Sequence, residues 1–441
     1  MGGPARSLRV TIVAANPFQF DSRFLRTATT LAEDGHEVRI LAWPATGLPA
    51  EESLAPGVRL SRLDIDRRIA SALRPAPERV RDAVGAALGL TPDTVTLPPE
   101  TPAGLDRLRH PLRRSLEMAA SVRRVRPWVD AVVSAAPATD IFHAQSLIAL
   151  PVVREAARQV GGRFVYDVAD YHTEAARLAR MPWLIKELVR RRERRMVDDA
   201  AGLLAVSDPV ADLVAHRWQV ERPAILLNCP PAWLPEQESP PVFDRIRTAT
   251  GIAADRPIVL YQGGFSIDRG VEELVAASAE LALRDLAAAV VFMGYGRLQG
   301  LVDRAAAATP ERIFVLPAVP VEGLLPWTAS ADVSFVGQPP RTLNQRMNLP
   351  NKLFESLMAG VPVVVSVGNE QCRVVSHERV GVCADIDSPR AVAEALAGIL
   401  RADPQERREM RRHCRVVALT KYTWEHNAGG LLDLYRGLAA D

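Results

Sequence analysis

Short runs of β-branched and aliphatic residues recur along this chain, and each is separated from the next by residues with helical periodicity. Parallel strands cannot be joined by a tight turn, so strands that alternate with helices specify βαβ units and a largely parallel sheet covered on both faces. In the first half the runs are RVTIVAA (9–15), EVRILAW (37–43), VRLSRLD (58–64), DIFHAQ (140–145), RFVYDVA (163–169) and GLLAVS (202–207). A helix of period 3.6, SRFLRTATTLAEDGHEV, follows the first run and stops at Gly35. In the second half they are PIVLYQG (257–263), AVVFMGYG (289–296), IFVLPAV (313–319), DVSFVGQ (332–338), VPVVVS (361–366) and GVCADI (381–386).

The fold class expected is therefore α/β, with two Rossmann-like domains in tandem. Between the two series, NCPPAWLPEQESPPVF (228–243) is dense in proline, which continues neither regular structure, and marks a linker. Residues 1–235 form the predicted first domain and 245–420 the second. The final segment, 421–441, holds a helix whose free apolar face suits packing back on the first domain. Residues 66–125 break the pattern with Arg-, Pro- and Ala-rich helical segments and read as a helical insertion too long for an ordinary loop. Two such domains set the carboxyl ends of two sheets across a cleft, where ligands bind.

Charge and cysteine usage narrow the function. Fifty-four cations against 52 acids give a net charge of +2, so no chain-wide basic field exists to track a phosphate backbone, and nucleic acid is not an expected partner. Only Lys186, Lys352 and Lys421 are lysines, leaving 54 − 3 = 51 arginines. The four cysteines, Cys229, Cys372, Cys383 and Cys414, form no C-x-x-C pair, so neither a disulfide framework nor a thiolate zinc site is indicated, and a reducing cytoplasm fits. The apolar run at the N-terminus is too short and polar-interrupted for a signal segment, and no stretch has the length of a membrane span. Membrane contact is at most peripheral, through KELVRRRERRMV (186–197) and RLRHPLRRSLEMAASVRRVR (107–126), whose plainer reading is a solvated helix face.

The segment richest in chemistry is NLPNKLFESLMAGVPVVVS (348–366), a helix begun by Pro350, ended at Gly360 and followed at once by a buried strand. Its free N–H groups and dipole favour an anion at the N-terminal end. Lys352 in the first turn opposes that dipole unless an anion sits there. Glu355 lies on the same face as Lys352 and Asn351, where a carboxylate accepts two hydrogen bonds from a ribose diol. An exposed i, i+3 pair is the plainer reading of Glu355 with Lys352. In YQGGFSIDRGVEELVAA (261–277) a strand ends in Gly263 and Gly264, and Arg269 offers a planar five-donor fork just before a helix. MGYGRL (293–298) closes the next strand with Gly294 and Gly296. No G-x-G-x-x-G and no Walker lysine motif accompanies them, which disfavours NAD and ATP cradles.

Through YQGG with Arg269-Gly270, GYG, ASADV (329–333) and LPNKLFESLMAGVPVV, the sequence resembles the retaining GT-B glycosyltransferases of glycosyltransferase family four. The resemblance covers both domains and is most specific over 257–366. It implies a GT-B fold and transfer of a sugar from a nucleotide diphosphate sugar, UDP- or GDP-linked, to a small-molecule, glycan or lipid-carrier acceptor. It implies no cofactor and no catalytic metal, and a place in natural product or envelope glycan biosynthesis. The diphosphate contact falls on Arg269, seconded by Lys352, and the ribose contact on Glu355. Gly263, Gly264, Gly294, Gly296, Asn348, Leu349, Pro350 and Asn351 complete the donor side.

The departures from the family pattern are Gly264 where many members have arginine, Met347 where many have a second glutamate, and Ala169 where relatives often carry the histidine of D-x-H-E. Acceptor-side candidates near predicted strand ends are Asp21, Ser22, Arg23, His143, Asp170 and His172, with Asp167 beside them; each would serve equally as a cap or a satisfied polar residue. Two other classes stay open: a nucleotide-binding protein of this shape without turnover, and a nucleotide-sugar epimerase.

Overall fold

The computed structural model describes residues 6–19, 21–63, 65, 125–235 and 243–440. The helical insertion expected at 66–125 lies outside the described residues up to 124, and so do residues 236–242 of the proline-rich stretch.

Two sheets organise the chain. The first contains β1 (Arg9–Val13), β2 (Glu37–Ala42), β3 (Glu51–Ala55), β4 (Val58–Arg62), β5 (Ile141–Ala144), β6 (Arg163–Val168), β7 (Gly202–Ala205) and β8 (Ala224–Ile225), in the order β3-β4-β2-β1-β5-β6-β7-β8. The second contains β9 (Ile258–Gly264), β10 (Ala289–Tyr295), β11 (Ile313–Leu316), β12 (Val333–Phe335), β13 (Val363–Ser366) and β14 (Gly381–Ala384), in the order β11-β10-β9-β12-β13-β14. The second sheet is parallel throughout, and in both sheets the order reverses beside the first strand of the series, the arrangement of a doubly wound fold. All the runs read as strands in the sequence are strands. Two were missed. β3 (EESLA) is a polar strand antiparallel to β4 and lacks the apolar run of a buried strand, and β8 is only two residues long.

The chain divides into two compact units, one of Met1–Asp167, Arg177–Leu203 and Leu438–Asp441, the other of Val168–Ala176 and Leu204–Gly437. In the first unit, α1 (Ser22–Glu33) buries Phe24, Ala28 and Leu31 at i, i+4 and i+7, and its N-terminus is capped by the Asp21 carboxylate on the Phe24 amide. Further helices are α2 (Leu150–Val160) and α3 (Trp183–Val197). The guanidinium of Arg163 donates to the carbonyl of Leu438, near the end of the last helix.

In the second unit, α4 (Asp208–Trp218) precedes the sheet, and α5 (Val271–Ala277) and α6 (Gln299–Ala308) follow β9 and β10. They are succeeded by α7 (Leu343–Met347), α8 (Asn351–Met358), α9 (Glu370–Glu378), α10 (Pro389–Arg401), α11 (Pro404–Lys421) and α12 (Gly429–Ala440). Strand β9 shows why the sheet is covered on both sides. Val259 and Tyr261 pack on one face with Phe265, Phe292 and Leu396, while Ile258 and Leu260 pack on the other with Val291 and Met293. Each such side chain contributes about 1.5–3 kcal/mol by leaving water.

One expectation from the cysteines is corrected. Cys372 on α9 and Cys383 on β14 form a disulfide, with Cα atoms 5.6 Å apart. The spacing of eleven residues carries no motif; the helix-to-strand turn brings the two together. Cys229 and Cys414 are buried thiols outside that disulfide.

A buried acid lies under the first sheet. Glu193 on α3 is 1% exposed and accepts a hydrogen bond from the Tyr166 hydroxyl at 2.9 Å. Burial pushes its carboxyl up to about 7, against the opposing pull of Tyr166 and Arg190. The folded state thus holds a proton that the unfolded chain releases near 4.5. Stability from this group is intact below the unfolded value and is lost as pH rises toward about 7. Thermal unfolding of wild type and Glu193→Gln between pH 5 and pH 8 tests this. The variant should gain on wild type as pH rises, by on the order of 2–4 kcal/mol at the alkaline end. A pH-independent gap would show that Glu193 does not carry the proton.

Candidate active site

The donor-side residues named from the sequence converge in the second unit around the N-terminal end of α8. Burial fixes that helix: Leu353, Phe354, Leu357 and Met358 sit in one core cluster with Leu349, Val363 and Val365. Pro350 is its N-cap, one position before the first helical residue, with extended backbone at φ −76° and ψ 147°. Asn351 and Lys352 form the first turn, and Glu355 follows one turn later.

Glu355 is 7% exposed, so its carboxylate needs partners. Gln262, the last buried residue of β9, donates Nε2 to Glu355 Oε2 at 2.9 Å, and Thr328 Oγ1 donates to Gln262 Oε1 at 2.7 Å. The chain Thr328–Gln262–Glu355 thereby orients the carboxylate. Sequence reasoning missed Gln262 and Thr328. A signal existed for Gln262, a large polar side chain at the end of an otherwise apolar strand.

Lys352 is half-buried. Its ammonium stands 4.2 Å from the centre of the Tyr261 ring and 3.5 Å from the carbonyl of Arg269. Loss of water and the neighbouring Arg269 guanidinium, with Glu355 opposing, bring its pKa down to about 7. Arg269 is exposed. Two adjacent cations at one helix end cost energy in the absence of an anion.

Glycines at the two strand ends and before α5 allow close backbone packing beside these groups. Gly270 has φ +83°, and a Cβ there would collide with the Gly337 carbonyl. At Gly294 a Cβ would collide with the carbonyl of Gly263 on the paired strand. Gly263 and Gly264 are exposed at the end of β9, and Gly296 follows β10.

The residues before α8 are pinned by polar side chains from elsewhere in the same unit. Thr342 and Gln345 form a capping box on α7. Asp170 Oδ1 accepts from Asn344 Nδ2 and from Asn348 Nδ2, each at 2.9 Å, and the Tyr171 amide donates to Asn344 Oδ1 at 2.7 Å. Ser207 Oγ donates to the Met347 carbonyl at 2.7 Å, and Asn228 Nδ2 to Asn351 Oδ1 at 2.7 Å. Asp170, an acceptor candidate by sequence, therefore serves to hold the turn at 344–348. His172 lies in a short 3₁₀ turn at His172–Glu174, and burial lowers its imidazole pKa while Asp170 opposes.

The other acceptor candidates lie in the first unit, at the ends of β1, β5 and β6. Arg23 is 3% exposed and grips fully buried Asp167 through two hydrogen bonds of 2.7 Å. His143, also fully buried, has Nε2 3.9 Å from the same carboxylate and meets Phe24 edge-on. Burial alone would raise the Asp167 carboxyl, but Arg23 and His143 outweigh it and hold it at about 2. Arg23 is thus one half of a buried ion pair with Asp167 that His143 adjoins, Asp21 is a helix cap bonded to Asn16, and Ser22 is buried in the first turn of α1. Among the described residues no group of three His, Cys, Asp or Glu is placed to hold a metal, and no helix is long and apolar enough to cross a membrane.

Doubly wound sheets in this order, repeated in tandem, are the arrangement of the GT-B fold. Residues 256–402 match the family model described as Glycosyl transferases group 1. Among solved structures the chain is similar to sucrose-phosphate synthase from Thermosynechococcus elongatus, with a TM-score of 0.68 and 18% identity over 99% of this chain and 100% of that one. It is also similar to an α,α-trehalose 6-phosphate synthase from Burkholderia multivorans, with a TM-score of 0.64 and 14% identity over 99% of this chain and 98% of that one. HepE from Anabaena, solved in complex with UDP-glucose, gives a TM-score of 0.62 and 12% identity over 98% of this chain and 100% of that one. At these identities the likeness is one of fold. No curated protein matches the chain.

The perturbed lysine is directly measurable, because the chain has only three lysines. Competitive acylation across pH should give Lys352 a reactivity midpoint near 7, and Arg269→Ala should raise it by removing the neighbouring cation. A midpoint at the ordinary 10.5 would contradict the crowding described here.

Proposed function

We propose that the protein transfers a sugar from a nucleoside diphosphate sugar to an acceptor with retention at the anomeric carbon, and that its second unit binds the donor. The observation that carries this reading is the juxtaposition of Arg269 and Lys352 with the Gln262-braced carboxylate of Glu355 at one helix end. The two cations suit a diphosphate, and a carboxylate one helical turn away suits the ribose hydroxyls. The match of 256–402 to a glycosyltransferase family supports the class of reaction, and the UDP-glucose complex of HepE favours a UDP-linked hexose.

As the bond from the anomeric carbon to phosphate breaks, negative charge grows on the diphosphate. Arg269, Lys352 and the α8 N-terminus stabilise that charge more than they stabilise the ground state. The departing phosphate oxygen takes the proton of the acceptor hydroxyl as that oxygen bonds to the same face of the sugar. No protein nucleophile takes part. Asn348 to Asn351, held by Asp170, Ser207 and Asn228, line the place for the sugar. The rival reading, nucleotide binding without turnover, rests on Gly264, Met347 and Ala169; release of nucleoside diphosphate in the presence of acceptor decides between them.

Arg269 and Glu355 should fail in different ways. Arg269→Ala removes a donor aimed at developing charge and should lower kcat by ~10²- to 10³-fold. Glu355→Ala removes hydrogen bonds to a ribose unchanged by the reaction and should weaken donor binding by ~1.5–3 kcal/mol with kcat less affected. Gln262→Leu should reproduce a smaller part of that loss, ~0.5–1.5 kcal/mol, and add little in the Glu355→Ala background. Steady-state kinetics with the folded variants check all three, and an unchanged donor affinity in Glu355→Ala would end the ribose assignment.

Cationic side chains also replace the charge stabilisation a divalent ion gives elsewhere. Transfer should survive excess EDTA at full rate. Loss of activity with chelator and its return with magnesium or manganese would overturn the mechanism.

A further inference from the structure

In the first unit, α3 presents an unusual outer face. Of the ten large hydrophobic residues exposed among the described residues, three lie in its first turn and a half: Trp183 is 73% exposed, Leu184 56% and Leu188 60%. The inner side of the helix is already satisfied, since Ile185, Met196 and Val197 are buried together with Glu193. With successive residues 100° apart, Leu184, Leu188, Arg191 and Arg195 fall on one outward stripe at i, i+4, i+7 and i+11, flanked by Trp183 and Arg192. Arg191, Arg192 and Arg195 are all exposed. A merely solvated face would turn charged side chains outward and spare tryptophan and leucine that exposure.

Charge indicates what covers this stripe. The helix carries Lys186, Arg190, Arg191, Arg192, Arg194 and Arg195 against Glu187 and buried Glu193. A second copy of the chain docked by the same face would set arginine against arginine, which costs energy. An anionic surface with an apolar interior meets both halves of the stripe at once, since tryptophan and leucine partition into the interfacial layer while arginines pair with lipid phosphates.

We propose that this face of α3 is a peripheral membrane-binding surface for an anionic lipid bilayer, with Trp183, Leu184 and Leu188 entering the interface and Arg191, Arg192 and Arg195 meeting headgroup phosphates. It is independent of the donor assignment, and glycosyl transfer is not its readout.

The test is co-sedimentation of the full chain with vesicles of phosphatidylcholine alone and of phosphatidylcholine with an equal amount of phosphatidylglycerol. Binding should require the anionic lipid and weaken as salt is raised. Leu184→Ser with Leu188→Ser should lower partitioning at least ~10-fold, and Arg191→Gln with Arg192→Gln and Arg195→Gln on the order of 10²-fold. All five side chains are exposed, so thermal unfolding should be close to wild type in both variants. Binding equal on neutral vesicles, binding absent from both, or binding undiminished in the two folded variants overturns the proposal. So does a concentration-dependent dimer in analytical ultracentrifugation that Leu184→Ser with Leu188→Ser dissolves, because the occupant would then be a second copy.

Discussion

Helix α8 buries most of its circumference, and the candidate site depends on that constraint. Leu353, Phe354, Leu357 and Met358 lock its rotation in the core, so the positions left for chemistry are fixed before any polar contact forms. Asn351, Lys352 and Glu355 inherit their directions from this packing. A helix held by one apolar stripe can roll; one buried on most sides cannot without opening cavities, at a cost of ~2–5 kcal/mol for each large side chain lost.

Polar contacts then refine what burial has set. Asp170, Ser207 and Asn228 fasten the turn that leads into α8, and Gln262 with Thr328 aims the Glu355 carboxylate. These partners matter because a buried carboxylate or amide with no hydrogen bond is expensive, so each one selects a single arrangement. The outcome places a lysine near neutral pKa beside an exposed arginine, an unfavourable pairing that a bound diphosphate would relieve. The same logic appears in reverse in the first unit, where Arg23 neutralises Asp167 beside buried His143, out of reach of solvent. Residue type alone does not separate these two situations.

Much of the fold was legible in the sequence because burial on both faces of a parallel sheet leaves continuous apolar runs, and crossover helices leave a 3.6-residue period between them. The polar strand β3 escaped because antiparallel pairing at an edge needs no apolar run, and β8 because two residues carry no period. The donor-side segment was legible for a related reason. Its proline, lysine, glutamate and glycine occupy fixed places on a single helix, so local spacing encodes their geometry.

By itself the sequence determined the α/β class, the positions of nearly all the strands and the placing of Asn351, Lys352 and Glu355 on one face at a helix start, because these follow from periodicity and helix termini; that Arg269 joins them is a tertiary contact. Tertiary structure alone decided that Cys372 meets Cys383, that Gln262 and Thr328 brace Glu355, and that Asp170 holds Asn344 and Asn348. It also decided that Arg23 and His143 are spent on Asp167. Whether a polar side chain serves a ligand or a buried partner depends on what lies within about 3 Å of it, and contacts between residues far apart in the chain leave no periodic trace in the sequence.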